Sequence, residues 1–302
     1  VYKRFFTAAL TGALSMTLAV GTLRADDDND DKKPDGKGHK SRDTKPAPTD
    51  RAGRITPIQY HGGPILTGTV HTYAIYYGNW SGSQIAIINN LLGHIGGSPY
   101  FNINTTYYNG QNVHVSNAVT LAGTTTMPTY PLGKSLSDAN IQTIVSNAIT
   151  GGLPSDTNAV YFVITSQDVT ATSGFCTQYC GWHDHGTIGG KDIKYAFIGN
   201  PARCPNACAA QTSSSPNNDI GVDGAVSIIA HELEEAVTDP DLNAWFDRSG
   251  NENADKCAWT FGKTYTAPNG SVANMNIGGM NFLIQQNWVQ VPNAGNCSLQ
   301  YP

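Results

Sequence analysis

Apolar side chains recur at fixed spacing only beyond residue 55, and the elements they predict follow in order from there. Val70–Tyr77 (Val-His-Thr-Tyr-Ala-Ile-Tyr-Tyr) is dense in β-branched and aromatic residues and predicts a first strand. Gly78-Asn79-Trp80-Ser81 breaks it. Ser81 or Ser83 caps a helix over 84–94, with Ile85, Ile88, Leu91, Leu92 and Ile95 on one side. The stretch 113–121 alternates as a strand. Ser137 caps a second helix over 138–149, striped by Ile141, Ile144, Val145 and Ile149. Ala159–Thr165 is a continuous apolar run, as a central strand buried on both faces would be. A further strand is expected over 194–199, and beyond Pro240 only short strands, around 261–265 and 280–284. Strands and helices alternate, so the expected fold is mixed α/β (α+β), a mixed sheet with packed helices and an irregular C-terminal part.

One helix stands apart. Over 225–239 its first half is apolar and small, and its second half turns acidic around His231. Pro240 cannot continue it. His231 and Glu235 are four residues apart and share a face, so they can grip one metal ion. Glu232 is then next to the first ligand, as the general base is in the zinc-protease pattern His-Glu-x-x-His. Here Glu235 replaces the second His. A carboxylate binds zinc, but its negative charge makes the ion a weaker Lewis acid. The competing reading is a solvated acidic helix end. Against that stand the apolar first half and a second acidic cluster, Asp247 to Asp255.

Composition sets the compartment. Lys3 and Arg4, then an apolar stretch ending near Ala25, read as a secretory signal peptide over 1–25. No later segment is long and apolar enough to span a membrane. Residues 26–54 are charged and Pro-rich with almost no apolar side chain, and read as a disordered linker. Residues 55–302 read as one exported globular domain. A formal net charge of −5 argues against nucleic acid as a partner. Oligomeric state is not legible.

Six cysteines in an exported chain imply disulfides. Cys257 and Cys297 are the two isolated ones and are expected to pair. Cys176 and Cys180, and Cys204 and Cys208, form two Cys-x-x-x-Cys pairs in the sequence. The rival use of the first pair is a zinc site with His183 and His185.

Several blocks stand in one order: Tyr60-His61-Gly62-Gly63-Pro64, Ile75-Tyr76-Tyr77-Gly78-Asn79-Trp80, Phe175-Cys176 through Cys180-Gly181-Trp182-His183, Cys204-Pro205-Asn206-Ala207-Cys208-Ala209 and Asp219 to Gly224. Together they resemble the EXORDIUM-like, or phosphate-induced protein, family, over essentially the whole domain. The helix with His231, Glu232 and Glu235 resembles the form found in microbial members. The resemblance implies an extracellular or cell-wall protein and brings no established chemistry with it.

The candidate centre is therefore a Zn2+ ion held by His231, Glu235 and Asp255, with Glu252 as the alternative third ligand. Glu232 is the base, and His183 is a further ligand or transition-state donor. The strand and helix order is compatible with a zincin-like metallopeptidase core, which is an analogy of fold. A Ca2+ loop starting Asp239-x-Asp241-x-Asn243 and reaching Asp247 is weaker, because its sixth position is Ala244 and its twelfth Gly250. No Gly-x-Ser-x-Gly elbow supports a serine nucleophile. Two classes of function remain. One is a secreted zinc hydrolase acting on extracellular peptide or a cell-wall substrate. The other is a non-catalytic extracellular module binding glycan or protein, with Tyr76, Tyr77, Trp80, Tyr107 and Tyr108 as an aromatic platform.

Overall fold

The computed structural model describes residues 56–292 and 294–302. The expected signal peptide and linker lie outside the described residues. The main sheet has five strands: β1 (Val70–Tyr77), β2 (Val119–Met127), β3 (Ala159–Thr165), β4 (Gly181–Ile188) and β5 (Lys191–Ile198). Their spatial order is β2-β1-β3-β5-β4. The first four in that order are parallel, and only β4 runs against its neighbour.

Parallel neighbours need crossovers, and helices supply them. α1 (Gly82–His94) joins β1 to β2, and α2 (Asp138–Thr150) joins β2 to β3. Both start on a capping box, Ser81 with Gln84 and Ser137 with Asn140. Such an N-cap serine is worth about 1 kcal/mol. Every residue of β3 is buried, as its unbroken apolar run requires. Burial of a side chain such as Phe162 or Ile164 contributes roughly 1.5–3 kcal/mol, which fixes β3 as the anchor of the sheet.

β4 and β5 form a hairpin turned by Gly189 and Gly190, at φ 58° and 76°. Both turn residues need the left-handed region that glycine enters without strain. α3 (Ile220–Thr238) follows and packs against β4 and β5. Asp219 caps it by accepting from Val222 N at 3.0 Å. At its other end Asp239 N donates to Glu235 O at 2.7 Å, and Pro240 stops it. Burial extends along nearly all of α3, so its polar second half lies in the interior with the rest.

Three disulfides join Cys176 to Cys204, Cys180 to Cys208 and Cys257 to Cys297. The first two run side by side from the segment before β4 to the segment after β5. The third closes a separation of 40 residues in the irregular C-terminal part.

Several expectations need correction. The strand expected over 113–121 is shifted to Val119–Met127, because 113–117 makes only a bridge between Tyr108 and His114. The expected strand at 194–199 begins earlier, at Lys191, where the Gly-Gly turn releases the chain. The two expected C-terminal strands fall at Tyr265–Thr266 and Met280–Phe282, and an unexpected hairpin of Asn287–Val291 with Ala294–Ser298 follows them. Cys176 and Cys180 cannot serve a zinc site with His183 and His185, since both are in disulfides. The aromatic platform does not form: Tyr76, Tyr77 and Tyr107 are buried core. In the proposed Ca2+ loop, Asp239 Oδ1 already accepts from Asn243 N and Ala244 N. Asp247 is likewise engaged, by Ser249 N, Asn251 N and Lys256 Nζ.

Candidate metal centre

The apolar half of α3 buries itself against the sheet and carries the polar half inward with it. His231 Nε2 lies 2.9 Å from Glu235 Oε1, the contact that the four-residue spacing predicts. The loop after α3 then returns. Asp255 Oδ1 comes to 3.5 Å from His231 Nε2, and Asp255 N donates to Glu235 Oε1 at 3.1 Å. Glu252 N in turn donates to Asp255 Oδ2 at 3.2 Å. Asp255 thus meets both His231 and Glu235, whereas the Glu252 carboxylate lies with Glu235 and His183.

β4 supplies the other wall. His183 Nδ1 lies 3.6 Å from Glu232 Oε2 and 3.5 Å from Glu235 Oε2. Its Nε2 is 3.7 Å from Glu252 Oε1 and donates to Asp239 O at 3.3 Å. His183 is thus a strand residue aimed into the cluster. His231, Glu232, Glu235 and Glu252 are each fully buried, and His183 is 2% exposed.

Buried polar atoms are nearly always paired. Here both oxygens of Glu232, both of Glu252, Oε2 of Glu235 and Nδ1 of His183 have no hydrogen-bond partner. Leaving such atoms bare in the interior costs several kcal/mol at each ionised group, of order 1–3 kcal/mol even for a neutral one. A cation among them removes that cost. Two sets of side chains have the required closeness, with one ligand atom from each within 4.8 Å of the others: His183, Glu235 and Glu252, and His231, Glu232 and Glu235.

The charge states respond to this crowding. Burial is the main force raising Glu232, to about 8, against the pull of His183 and His231. Burial and then repulsion from Glu235 push Asp255 up to about 6. Glu252 is raised well above the carboxylate range by burial, then by Glu235 and Asp239. At Glu235 burial is outweighed by His231 and His183, and the carboxyl is lowered to about 2. At His183 burial opposes protonation, but Glu232 and Glu235 win and raise it to about 10. Protons are being held where cations are wanted, and a metal ion would displace them.

Residues that sequence reasoning missed support these groups. Gln285 Nε2 contacts His231 Nδ1 at 2.8 Å and donates to Ala254 O at 3.0 Å. With the amide nitrogen on Nδ1, the imidazole proton sits on Nε2. Turning the amide over would let Nδ1–H donate to its oxygen and free Nε2 as a ligand, at the loss of the bond to Ala254 O. Glu234 faces elsewhere and accepts from Asn287 Nδ2. A third His-acid group, His185 with Asp192 and Asp241, already holds a cation: Lys194 Nζ is 2.5 Å from Asp192 and 3.1 Å from Asp241.

Residues 58–287 match the model of the phosphate-induced protein 1 conserved region. The chain is 31% identical to Protein EXORDIUM-like 3 of Arabidopsis thaliana over 279 residues, covering 80% of this chain and 82% of that one. Protein EXORDIUM-like 5 of the same plant is 30% identical over 288 residues, 82% and 78% of the two chains. Protein PHOSPHATE-INDUCED 1 of Nicotiana tabacum is 29% identical over 236 residues, 68% and 73% of the two. No solved structure matches.

Proposed function

We propose that this chain, which belongs to the phosphate-induced protein 1 (EXORDIUM-like) family, is an exported zinc-dependent hydrolase of metallopeptidase type. Its substrate would be extracellular peptide or a cell-wall polymer. The observation that carries the reading is Glu232: a fully buried carboxylate with neither oxygen hydrogen-bonded, one residue from His231 and facing His183.

His231, Glu235 and Asp255 would hold the zinc, with Glu252 the alternative third ligand. Zinc at this position supplies Lewis acidity and lowers the pKa of a water. Glu232 would serve as the base, taking a proton from water at its carboxylate. A pKa raised to about 8 by burial lets Glu232 both take and return a proton near neutral pH. His183 orients Glu232 and donates toward the charge that develops on the substrate. Glu235, in place of a second histidine, tempers the ion's acidity, so a slow enzyme is expected.

A second reading is a non-catalytic extracellular module with a structural ion. Two observations favour it. His231, Glu232, Glu235 and Glu252 are wholly buried, and a separate polar cleft of about 360 Å³ lies at the C-terminal ends of β1, β3 and β5. That cleft is lined by Asn79, Gln84, Asp168, Asn200 and Asp219, groups that suit sugar hydroxyls, at the point where strand order reverses. The deciding experiment is a peptide and glycan hydrolysis screen of the zinc-loaded protein beside Glu232→Gln. Hydrolysis that Glu232→Gln abolishes while zinc stays bound supports the enzyme. A folded, zinc-loaded protein without hydrolysis, indifferent to Glu232→Gln, leaves the binding module.

A further inference from the structure

We propose that the centre holds two divalent cations, bridged by the carboxylate of Glu235. The inference rests on the metal reading above and goes beyond it in number and in the use of His183.

The two oxygens of Glu235 serve different histidines. Oε1 faces His231 Nε2 at 2.9 Å, and Oε2 faces His183 Nδ1 at 3.5 Å. Each histidine also has an acid of its own. Asp255 Oδ1 is 3.5 Å from His231 Nε2, and Glu252 has a carboxylate oxygen within 4.8 Å of a ring nitrogen of His183 and of a Glu235 oxygen. Two half-sites result, one imidazole and one private carboxylate in each, with Glu235 common to both. A carboxylate spanning two ions is the arrangement of paired-metal hydrolases.

His183 has the form of a ligand in its own right. Its Nε2 donates to the carbonyl of Asp239 at 3.3 Å, which turns a bare nitrogen, Nδ1, toward Glu235 and Glu232. A backbone carbonyl holding the far nitrogen of an imidazole is how ligating histidines are oriented. A proton on Nδ1 meets those two carboxylates in the metal-free protein, and a divalent cation bound there would take the proton's place.

Unpartnered buried atoms set the number. Both oxygens of Glu252 lack partners at full burial, and an ion confined to the His231 half leaves them bare. A second ion in the His183 half would give those oxygens a partner. Imidazole with carboxylates fits borderline cations such as Zn2+ or Mn2+.

The test is metal stoichiometry on the folded, disulfide-bonded protein. After saturation with Zn2+ and dialysis, elemental analysis is expected to give two ions per chain in the parent. Glu252→Gln and His183→Ala are expected to keep one, and Glu235→Ala to lose both. In the Mn2+-loaded parent an exchange-coupled electron paramagnetic resonance signal is expected, and in Glu252→Gln the isolated six-line signal. Glu252→Gln conserves shape, and circular dichroism reports whether each variant is folded. One ion in the parent, unchanged in Glu252→Gln, overturns the pair and leaves the single-zinc reading standing. No ion at all overturns both. Two ions without magnetic coupling overturn the bridge.

Discussion

Gly181 on β4 approaches Glu232 on α3 so closely that a methyl group at Gly181 would stand 2.9 Å from Glu232 Oε1. The same methyl would meet Ile228 Cγ2 at 2.5 Å and Phe197 O at 3.0 Å. The strand that carries His183 and the helix that carries His231 are thus held together across a position with room only for hydrogen. Gly181→Ala is expected to cost about 1–3 kcal/mol, as overpacking does. Urea unfolding checks this. Zinc affinity should fall in the same variant, because the two walls of the centre are forced apart. An unchanged midpoint and affinity would mean that the contact between strand and helix is slack.

Gln285 governs which nitrogen of His231 is available. Gln285→Leu removes the amide that contacts Nδ1 and bonds Ala254 O. Zinc affinity is expected to drop about 10–100-fold, the usual cost of losing a ligand's outer partner. Gln285→Glu offers an acceptor for Nδ1–H and is expected to keep affinity. Competition against a chromogenic chelator measures both. Equal affinities in all three proteins would remove Gln285 from the site.

The metal-free protein should become less stable as pH rises from about 5 to 8. Asp255, at about 6, and Glu232, at about 8, have pKa values raised above those of the unfolded chain, chiefly by burial. The folded state therefore binds more protons across this window, and stability falls as they leave. His183, raised to about 10, works in the same direction above its ordinary value. Glu235, lowered to about 2, acts only in acid, where its contribution is lost as pH falls. The slope is at most about 1.4 kcal/mol per pH unit for each group. Zinc must reverse the trend, since its ligands bind only when deprotonated. Thermal melts from pH 5 to 8, with chelator and with zinc, compare the two slopes. Parallel slopes would argue against metal at these carboxylates.

Breaking the bond between Cys257 and Cys297 should act on the centre as well as on stability. Cys257 is two residues from Asp255 in the same short turn, so the bond holds the segment that reaches back to His231. The double Ala variant is expected to lose about 2–4 kcal/mol. It should also release zinc more readily than a variant lacking the bond between Cys176 and Cys204. Zinc off-rates in the two variants make the comparison.

The sequence was most legible where one physical demand dominated. Ala159–Thr165 is apolar at almost every position, and such a run is a buried parallel strand or nothing. The serine caps of α1 and α2 marked their starts, and the isolation of Cys257 and Cys297 marked their pairing. β4 was invisible for the opposite reason. Gly181-Trp182-His183-Asp184-His185-Gly186 has no apolar alternation, because an edge strand beside a polar centre presents polar groups inward. The Gly189-Gly190 pair was the signal that could have revealed the hairpin. That His231, Glu235, Asp255 and Glu252 come together was legible in their spacing. Gln285 was not, since a lone glutamine in an irregular stretch carries no pattern.

The direction in which the chain threads α3 has its own consequence. His231, Glu235 and Asp239 occupy the carboxyl end of this helix. The peptide dipoles along it add there to about half a negative charge. That field belongs to the backbone and survives any substitution of a side chain. It repels phosphate, sulfate and free carboxylate groups from the centre and draws positive ions to it. A bound molecule that approaches would therefore do so through a neutral segment, with its charged ends kept at a distance.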